Sequence, residues 1–158
     1  MYKRILVPVD GSHTSTQGLE EAIRLAKVSQ GVLRMIHVVD EFVAIQNDAY
    51  MPGAGALLEG MVEGGSQLLK KAADLAASQG VAAEGALLKT LGGRVADIIV
   101  KEAKDWGADV IVMGTHGRRG VSLLVLGSDA EAVIKMTPVP LLLVRGSDPP
   151  KPRSGKTK

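Results

Sequence analysis

The sequence predicts a parallel α/β sheet with helices on both faces. Four apolar runs rich in branched aliphatic residues, at 3–9, 32–39, 108–113 and 139–145, and a weaker fifth at 81–89 support this class. Continuous rather than alternating apolar runs are typical of strands that are buried on both faces. Segments with helical spacing separate the runs, and a strand–helix alternation with right-handed crossovers produces a parallel sheet.

The helical segments are indicated by apolar residues spaced three and four apart. Such stripes lie within 19–26, 68–76, 95–106 and 130–134. Two helix starts are predicted from capping boxes, TSTQ beginning at Thr14 and SDAE beginning at Ser128. The prolines of TPVP, which begins at Thr137, end the last helix because proline cannot continue it.

Five strands and four helices predict the doubly wound, flavodoxin-like order 3-2-1-4-5. In that order the sheet reverses direction between the first and fourth strands, and ligands of such folds bind beyond the carboxyl ends of those strands. Two glycine-containing connections would meet there, VDGSHTS at 9–15 and GTHGRRGVSLLVLGS at 114–128.

Composition excludes several classes of function. The chain has 158 residues and predicts one domain over 1–146, in which 40–65 is a flexible connection, followed by a disordered basic tail at 147–158. Absence of cysteine removes disulfides and thiolate chemistry, and three scattered histidines argue against a metal centre. A net charge of +2 with 3% aromatics does not suggest nucleic-acid binding.

Location is also predicted from the sequence. No apolar run approaches the length of a membrane span, and the N-terminus lacks the apolar region and cleavage site of a signal peptide. We therefore expect a cytoplasmic protein.

The connection at 114–128 carries the candidate chemistry. Its glycines follow the spacing Gly114-x2-Gly117-x9-Gly127, and Ser128 comes next. Glycine lets backbone N–H groups approach a ligand closely, and a following helix N-terminus favours an anion. Arg118 and Arg119 would add charge-assisted hydrogen bonds. The alternative is a connection that needs flexible residues, with Ser128 as a simple helix cap.

A family resemblance favours the phosphate site. The glycine spacing, VPVDGS beginning at Val7, HVVD beginning at His37 and PVPLLLVR ending at Arg145 together resemble the universal stress protein family, over nearly the whole chain. In that family the glycine pattern marks the ATP-binding branch. The resemblance implies a Rossmann-like α/β fold, a homodimer, ATP or AMP as ligand and a regulatory role in stress.

The resemblance also implies a nucleotide pocket, carried over residue by residue. Contacts to the nucleoside and the first loop are assigned to Pro8, Val9, Asp10, Val38, Gly92, Met113 and Gly114. Contacts to the phosphates and the following helix N-terminus are assigned to His116, Gly117, Arg118, Gly127, Ser128 and Asp129. Asp10 is also the candidate metal contact, through Mg²⁺ bound to ATP.

Some of these residues have structural interpretations as well. Asp10 is also suited to a turn before Gly11, Met113 to the core, and His37 to a structural role with its ring hydrogen-bonded. Asp129 departs from the family, which usually has a small apolar or neutral residue there. A carboxylate suits the first turn of a helix but repels a phosphate unless a metal intervenes.

Three functions follow from these observations. The first is a nucleotide-binding regulatory module, the second a slow ATPase or autophosphorylating protein, and the third a structural stress protein without nucleotide. Binding is favoured over turnover because the sequence offers no convincing general base for water, and Asp10 is the candidate carboxylate in the first loop. The last strand, from Val139 to Arg145, would be an apolar sheet edge that a second copy covers with two-fold symmetry.

Overall fold

The computed structural model describes residues 1–48, 54–115 and 126–146. These contain a five-stranded sheet in the order β3-β2-β1-β4-β5, and every pairing of neighbouring strands is parallel. The strands are Arg4–Pro8 (β1), Val32–Asp40 (β2), Ala83–Thr90 (β3), Val110–Gly114 (β4) and Leu141–Val144 (β5). The predicted fold class and strand order are confirmed.

Helices cover both faces of this sheet. They are His13–Ser29 (α1), Glu41–Asp48 (α2), Ala54–Ser78 (α3), Val95–Trp106 (α4) and Ser128–Met136 (α5). The four predicted helical stripes lie in α1, α3, α4 and α5.

Side-chain alternation along the strands divides the core into two layers. In β1, Ile5 and Val7 join the layer formed with α1 and α3, whereas Leu6 joins the layer formed with α4 and α5. In β4, Val112 lies in the layer formed with α1 and α3, and Ile111 lies in the layer formed with α4 and α5. Burial on both faces explains why these strands are continuously apolar in sequence.

Two of the helices that begin at the carboxyl edge of the sheet, α1 and α5, start differently from the prediction. The N-cap of α1 is Ser12, two residues before the predicted Thr14, and its side chain accepts a hydrogen bond from the Ser15 N–H. The N-cap of α5 is Gly127, so Ser128 is the first helical residue rather than the cap. Both predicted caps are wrong, although both helices are present.

The segment 40–65, predicted as a flexible connection whose residues 57–62 could extend the following helix, contains regular elements. Its described residues form the end of β2, the whole of α2 and the first half of α3. Helix α2 buries Ala44 but exposes Phe42, Val43 and Ile45. Because its apolar residues do not lie on one buried face, the helix was not evident from apolar spacing. The predicted mobility of this segment stays a prediction.

Two further sequence predictions concern the ends of the fold. The tail at 147–158 lies outside the described residues. Among the helices that are described, none combines the length and the apolar character needed to cross a membrane.

Candidate functional site

The carboxyl ends of β1 and β4 lie side by side, as the predicted switch point requires. The two strands pair directly, with Ile5 opposite Val110 and Leu6 opposite Ile111. Beyond β4, the Thr115 N–H donates to the Val144 carbonyl, and the Gly127 N–H donates to the Thr115 carbonyl, each at 2.9 Å. The N-terminus of α5 is therefore fastened beside the end of β4.

The loop after β1 is fastened by its own side chains. The Asp10 Oδ1 accepts a hydrogen bond from the Ser12 N–H at 2.8 Å, and Gly11 between them has φ of +81°. The Asp10 N–H donates to the Ser15 Oγ at 3.1 Å, while the Ser15 N–H donates to the Ser12 Oγ at 3.1 Å. This network holds the loop against the first turn of α1, and it gives Asp10 the turn role that its sequence context suggested.

Helix α1 approaches the end of β4 very closely. A Cβ at Gly18 would lie 3.2 Å from the Gly114 nitrogen, and a Cβ at Gly114 would lie 2.7 Å from the Thr14 carbonyl oxygen. A Cβ at Gly146, just after β5, would lie 2.5 Å from the Thr14 Cγ2. Three glycines therefore let the start of α1 fit between the ends of β4 and β5.

His37 lies beneath the first loop. Its Nδ1 is 2.7 Å from the Val9 carbonyl oxygen, and its side chain is buried. A Cβ at Gly65 would lie 2.5 Å from the His37 Cδ2, so the backbone of α3 lies directly against the ring. The structure confirms the expectation that His37 is hydrogen-bonded and structural in character.

The ends of β2 and β3 form a second part of the rim. The Asp40 Oδ1 accepts hydrogen bonds from the Phe42 N–H at 3.0 Å and the Gly92 N–H at 3.1 Å. Gly92 has φ of +75°, a conformation that favours glycine. Val38, two residues before Asp40, is half-buried within β2.

The start of α5 is acidic. Asp129 and Glu131 lie in its first turn, and Ser128 and Asp129 are exposed. Glu131 forms an ion pair with Lys135 at 2.7 Å. The hydrogen bond from Lys135 lowers the pKa of Glu131. Gly127 has no side chain, so this cap cannot accept a hydrogen bond from the backbone N–H groups of the first turn.

The predicted site residues divide into three groups. The first group lies at the carboxyl ends of β1 and β4, in the connections that follow them and at the start of α5: Pro8, Val9, Asp10, Gly114, Gly127, Ser128 and Asp129. Val38 and Gly92 lie on the neighbouring β2–β3 rim, and Met113 is buried in the core layer formed with α4 and α5. His116, Gly117 and Arg118 lie outside the described residues.

Several residues that organise this edge were not singled out from the sequence. They are Ser12, Ser15 and Asp40, whereas Thr14 was identified only as a helix cap. The spacing Asp10-x-Ser12-x2-Ser15 is the signal that would have found the first loop, since Asp and Ser in this pattern make local hydrogen bonds at helix starts. Within the described ranges, no three His, Asp or Glu side chains form a cluster able to hold a metal ion.

Comparison with known proteins identifies the family. The model of the universal stress protein family matches residues 1–145. Universal stress protein MJ0531 of Methanocaldococcus jannaschii is 37% identical over 147 residues, which cover 92% of this chain and 83% of the relative. Universal stress protein YxiE of Bacillus subtilis is 32% identical over 151 residues, covering 92% and 100%. The chain belongs to the universal stress protein family.

Solved structures share the fold. The structure of MJ0577 from Methanocaldococcus jannaschii matches with a TM-score of 0.79 at 26% identity, over 94% of this chain and 99% of that one. A universal stress protein in complex with cAMP matches with a TM-score of 0.66 at 22% identity, over 92% and 98%. One from Archaeoglobus fulgidus in complex with dAMP matches with 0.67 at 24%, over 90% and 98%.

Proposed function

We propose that this chain binds an adenine nucleotide, ATP or AMP, beyond the carboxyl ends of β1 and β4, and acts as a regulatory module in the stress response. The observation that carries the proposal is the fastening of the α5 N-terminus beside β4, through the hydrogen bond between Gly127 and Thr115. A helix N-terminus directs backbone N–H groups and a positive dipole end at a bound anion.

The nearby connections fit a nucleotide in shape as well. The start of α1 reaches the same edge of the sheet because Gly18 and Gly114 let it contact β4 closely. Two helix N-termini therefore flank the crevice at which α/β sheets of this order bind ligands. The complexes of other family members with cAMP and dAMP agree with an adenine nucleotide as the ligand class.

Individual contacts are proposed on the positions identified in the sequence. The backbone of Pro8, Val9 and Val38 would contact the nucleoside, and Gly92 would approach the ribose. The backbone at Gly127 and Ser128 would approach the phosphates. His116, Gly117 and Arg118 are proposed phosphate contacts on the family resemblance.

Binding without rapid turnover is the form of this proposal that the geometry favours. The Asp10 Oδ1 accepts the Ser12 N–H at 2.8 Å, which commits that oxygen to the turn. This turn role accounts for the Asp10 carboxylate without a catalytic step. We propose that, with ATP, Asp10 makes an outer contact with Mg²⁺.

The test is to denature freshly purified protein and identify released nucleotides by mass spectrometry, then to titrate stripped protein with AMP and ATP by calorimetry. GMP serves as the control ligand, because it carries the same phosphate on a different base. We expect adenine nucleotide to be released or bound and GMP to bind more weakly. Protein that carries no nucleotide and binds neither AMP nor ATP would contradict the proposal.

We further propose a homodimer through the last strand and a cytoplasmic location. Strand β5 is at one edge of the sheet, and its Leu142 is 38% exposed. Pairing with β5 of a second copy, over 139–145, would cover this edge. Sedimentation over a range of protein concentrations tests the dimer, and localisation of a tagged chain tests the compartment.

A further inference from the structure

The peptide group between Val9 and Asp10 is held at both of its polar atoms. Its carbonyl oxygen lies 2.7 Å from the His37 Nδ1, and its N–H donates to the Ser15 Oγ at 3.1 Å. His37 and Ser15 are each only 6% exposed. Because a peptide group is planar and rigid, two such hydrogen bonds on opposite sides fix its rotation.

These hydrogen bonds occur where β1 separates from β2. The register of the two strands ends with Pro8 opposite Ile36, and the Val9 N–H still donates to the Ile36 carbonyl at 2.8 Å. The Val9 carbonyl is buried, and a buried carbonyl without a partner costs stability. A carbonyl oxygen only accepts, so the His37 Nδ1 carries the hydrogen that it donates.

The ring of His37 is itself held in place by α3. A Cβ at Gly65 would lie 2.5 Å from the His37 Cδ2 and 2.6 Å from the Leu87 Cδ1. Glycine at this position therefore lets the helix backbone lie directly on the ring. The orientation of the Val9–Asp10 peptide thus depends on a contact made by a helix on one face of the sheet.

We propose that His37 and Ser15 are positioning residues for the nucleotide site. They hold the Val9–Asp10 peptide in the orientation that presents the first loop to the ligand, and they contact the peptide rather than the nucleotide. This inference rests on the proposed nucleotide-binding function and adds the side chains on which that site depends.

The first test compares His37→Leu with His37→Asn. Asparagine places a side-chain N–H the same number of bonds from Cβ as the His37 Nδ1, whereas leucine fills similar space without a donor. In calorimetric titrations with AMP and with Mg²⁺ and ATP, we expect His37→Leu to bind about tenfold more weakly than the native chain, because the Val9–Asp10 peptide loses the hydrogen-bond donor that fixes its orientation. His37→Asn should keep most of the affinity.

Thermal unfolding of the same proteins separates positioning from general stability. Asparagine is smaller than histidine and leaves a void, so His37→Asn should lower the melting temperature even though it keeps the binding. Affinity would then follow the hydrogen-bond donor and not the melting temperature. If instead the two variants lose affinity equally, or His37→Leu binds as the native chain does, the inference is wrong.

Two matched pairs test the other contacts. Ser15→Ala removes the acceptor of the Asp10 N–H, and Ser29→Ala removes a buried hydroxyl at the far end of α1. Gly65→Ala displaces the His37 ring, and Gly64→Ala adds a methyl group where no atom lies within 4 Å. We expect weaker nucleotide binding for the first member of each pair alone. If the two members of a pair change nucleotide affinity equally, the positioning role of the corresponding contact is rejected.

Nucleotide binding by the native chain tests the proposed function separately from the positioning role. If it binds AMP or ATP and the variants bind equally well, the nucleotide site stands and the positioning role is rejected. If the native chain binds neither, the proposed function is rejected and the positioning role is rejected with it.

Discussion

Gly114 lies so close to Thr14 that a Cβ at Gly114 would be 2.7 Å from the Thr14 carbonyl oxygen and 2.8 Å from its carbonyl carbon. These are backbone atoms in the first turn of α1, so they cannot rotate away as the end of a flexible side chain would. The glycine is therefore needed for the packing of α1 on β4. A role in ligand contact would be additional to that requirement.

We expect Gly114→Ala to destabilise the fold by about 1–3 kcal/mol, the usual effect of inserting a methyl group into a close contact. Urea unfolding followed by circular dichroism measures the change. Gly60→Ala is the control, because Gly60 is in helix α3 with no atom within 4 Å of its added Cβ. Alanine there should stabilise the helix by up to about 1 kcal/mol. Equal stability of Gly114→Ala and the native chain would show that α1 can shift.

The exposed edge of β5 gives a prediction about assembly. If two copies pair through this strand, Leu142→Lys should place a charge in the interface and produce monomers at concentrations where the native chain is dimeric. Ile134→Lys is the control, since Ile134 is another exposed apolar residue, on α5 rather than on the edge strand. Sedimentation velocity distinguishes the species. A dimer that survives Leu142→Lys unchanged would place the interface elsewhere.

The N-terminal end of the sheet gives a pH-dependent prediction. The Asp109 carboxylate accepts hydrogen bonds from the backbone N–H groups of Lys3 and Arg4, both at 2.8 Å. These hydrogen bonds lower the pKa of Asp109 below its ordinary value, and the bond from the Lys3 N–H has the largest effect. A carboxyl group with a lowered pKa adds stability above its unfolded pKa of about 3.9, and this stability is lost as the pH falls through the folded pKa.

Asp109→Asn should therefore be less stable than the native chain at neutral pH, and the difference should shrink on acidification below about pH 4. Urea midpoints at neutral and acidic pH measure it. Asp74→Asn is the control, because Asp74 forms an exposed ion pair with Lys70 within helix α3, and such pairs contribute little to stability. A difference between Asp109→Asn and the native chain that stays constant with pH would contradict the assignment.

The fold was predictable because strands that are buried on both faces of the sheet are continuously apolar in sequence. Strand β4 is apolar at Val110, Ile111, Val112 and Met113, and each of these side chains is buried. Helix α2 was missed because Ala44 is its one buried residue among 41–46. The start of α3 was obscured by glycines, one of which, Gly65, is explained by its contact with His37.

Local details of the site were harder to predict because several residues suited the same role. Serine or threonine occupies positions 12, 14, 15 and 16, and each can cap a helix. The turn at Gly11, with its positive φ, selects Ser12. Likewise, His37 was expected to be hydrogen-bonded, but its partner is set by where β1 leaves β2, which is a property of the tertiary structure.

Asp129 gives a prediction about the ligand itself. It lies in the first turn of α5, where a carboxylate stabilises the helix but repels a phosphate group. If its side chain faces the phosphates, Asp129→Asn should strengthen binding of ATP without Mg²⁺ by about two- to fivefold, the size expected for one exposed charge pair. With Mg²⁺ present the gain should diminish, because the metal ion already offsets the repulsion. Calorimetric titration with and without EDTA measures both.

Glu131→Gln is the matched control for this experiment, since Glu131 is the other carboxylate of the same turn and pairs with Lys135. Because Lys135 already balances its charge, neutralising Glu131 should change ATP affinity less than neutralising Asp129. Equal gains from the two variants would mean that the ligand senses only the net charge of the helix start. No gain from Asp129→Asn would mean that the carboxylate faces away from the phosphates and serves the helix rather than the ligand.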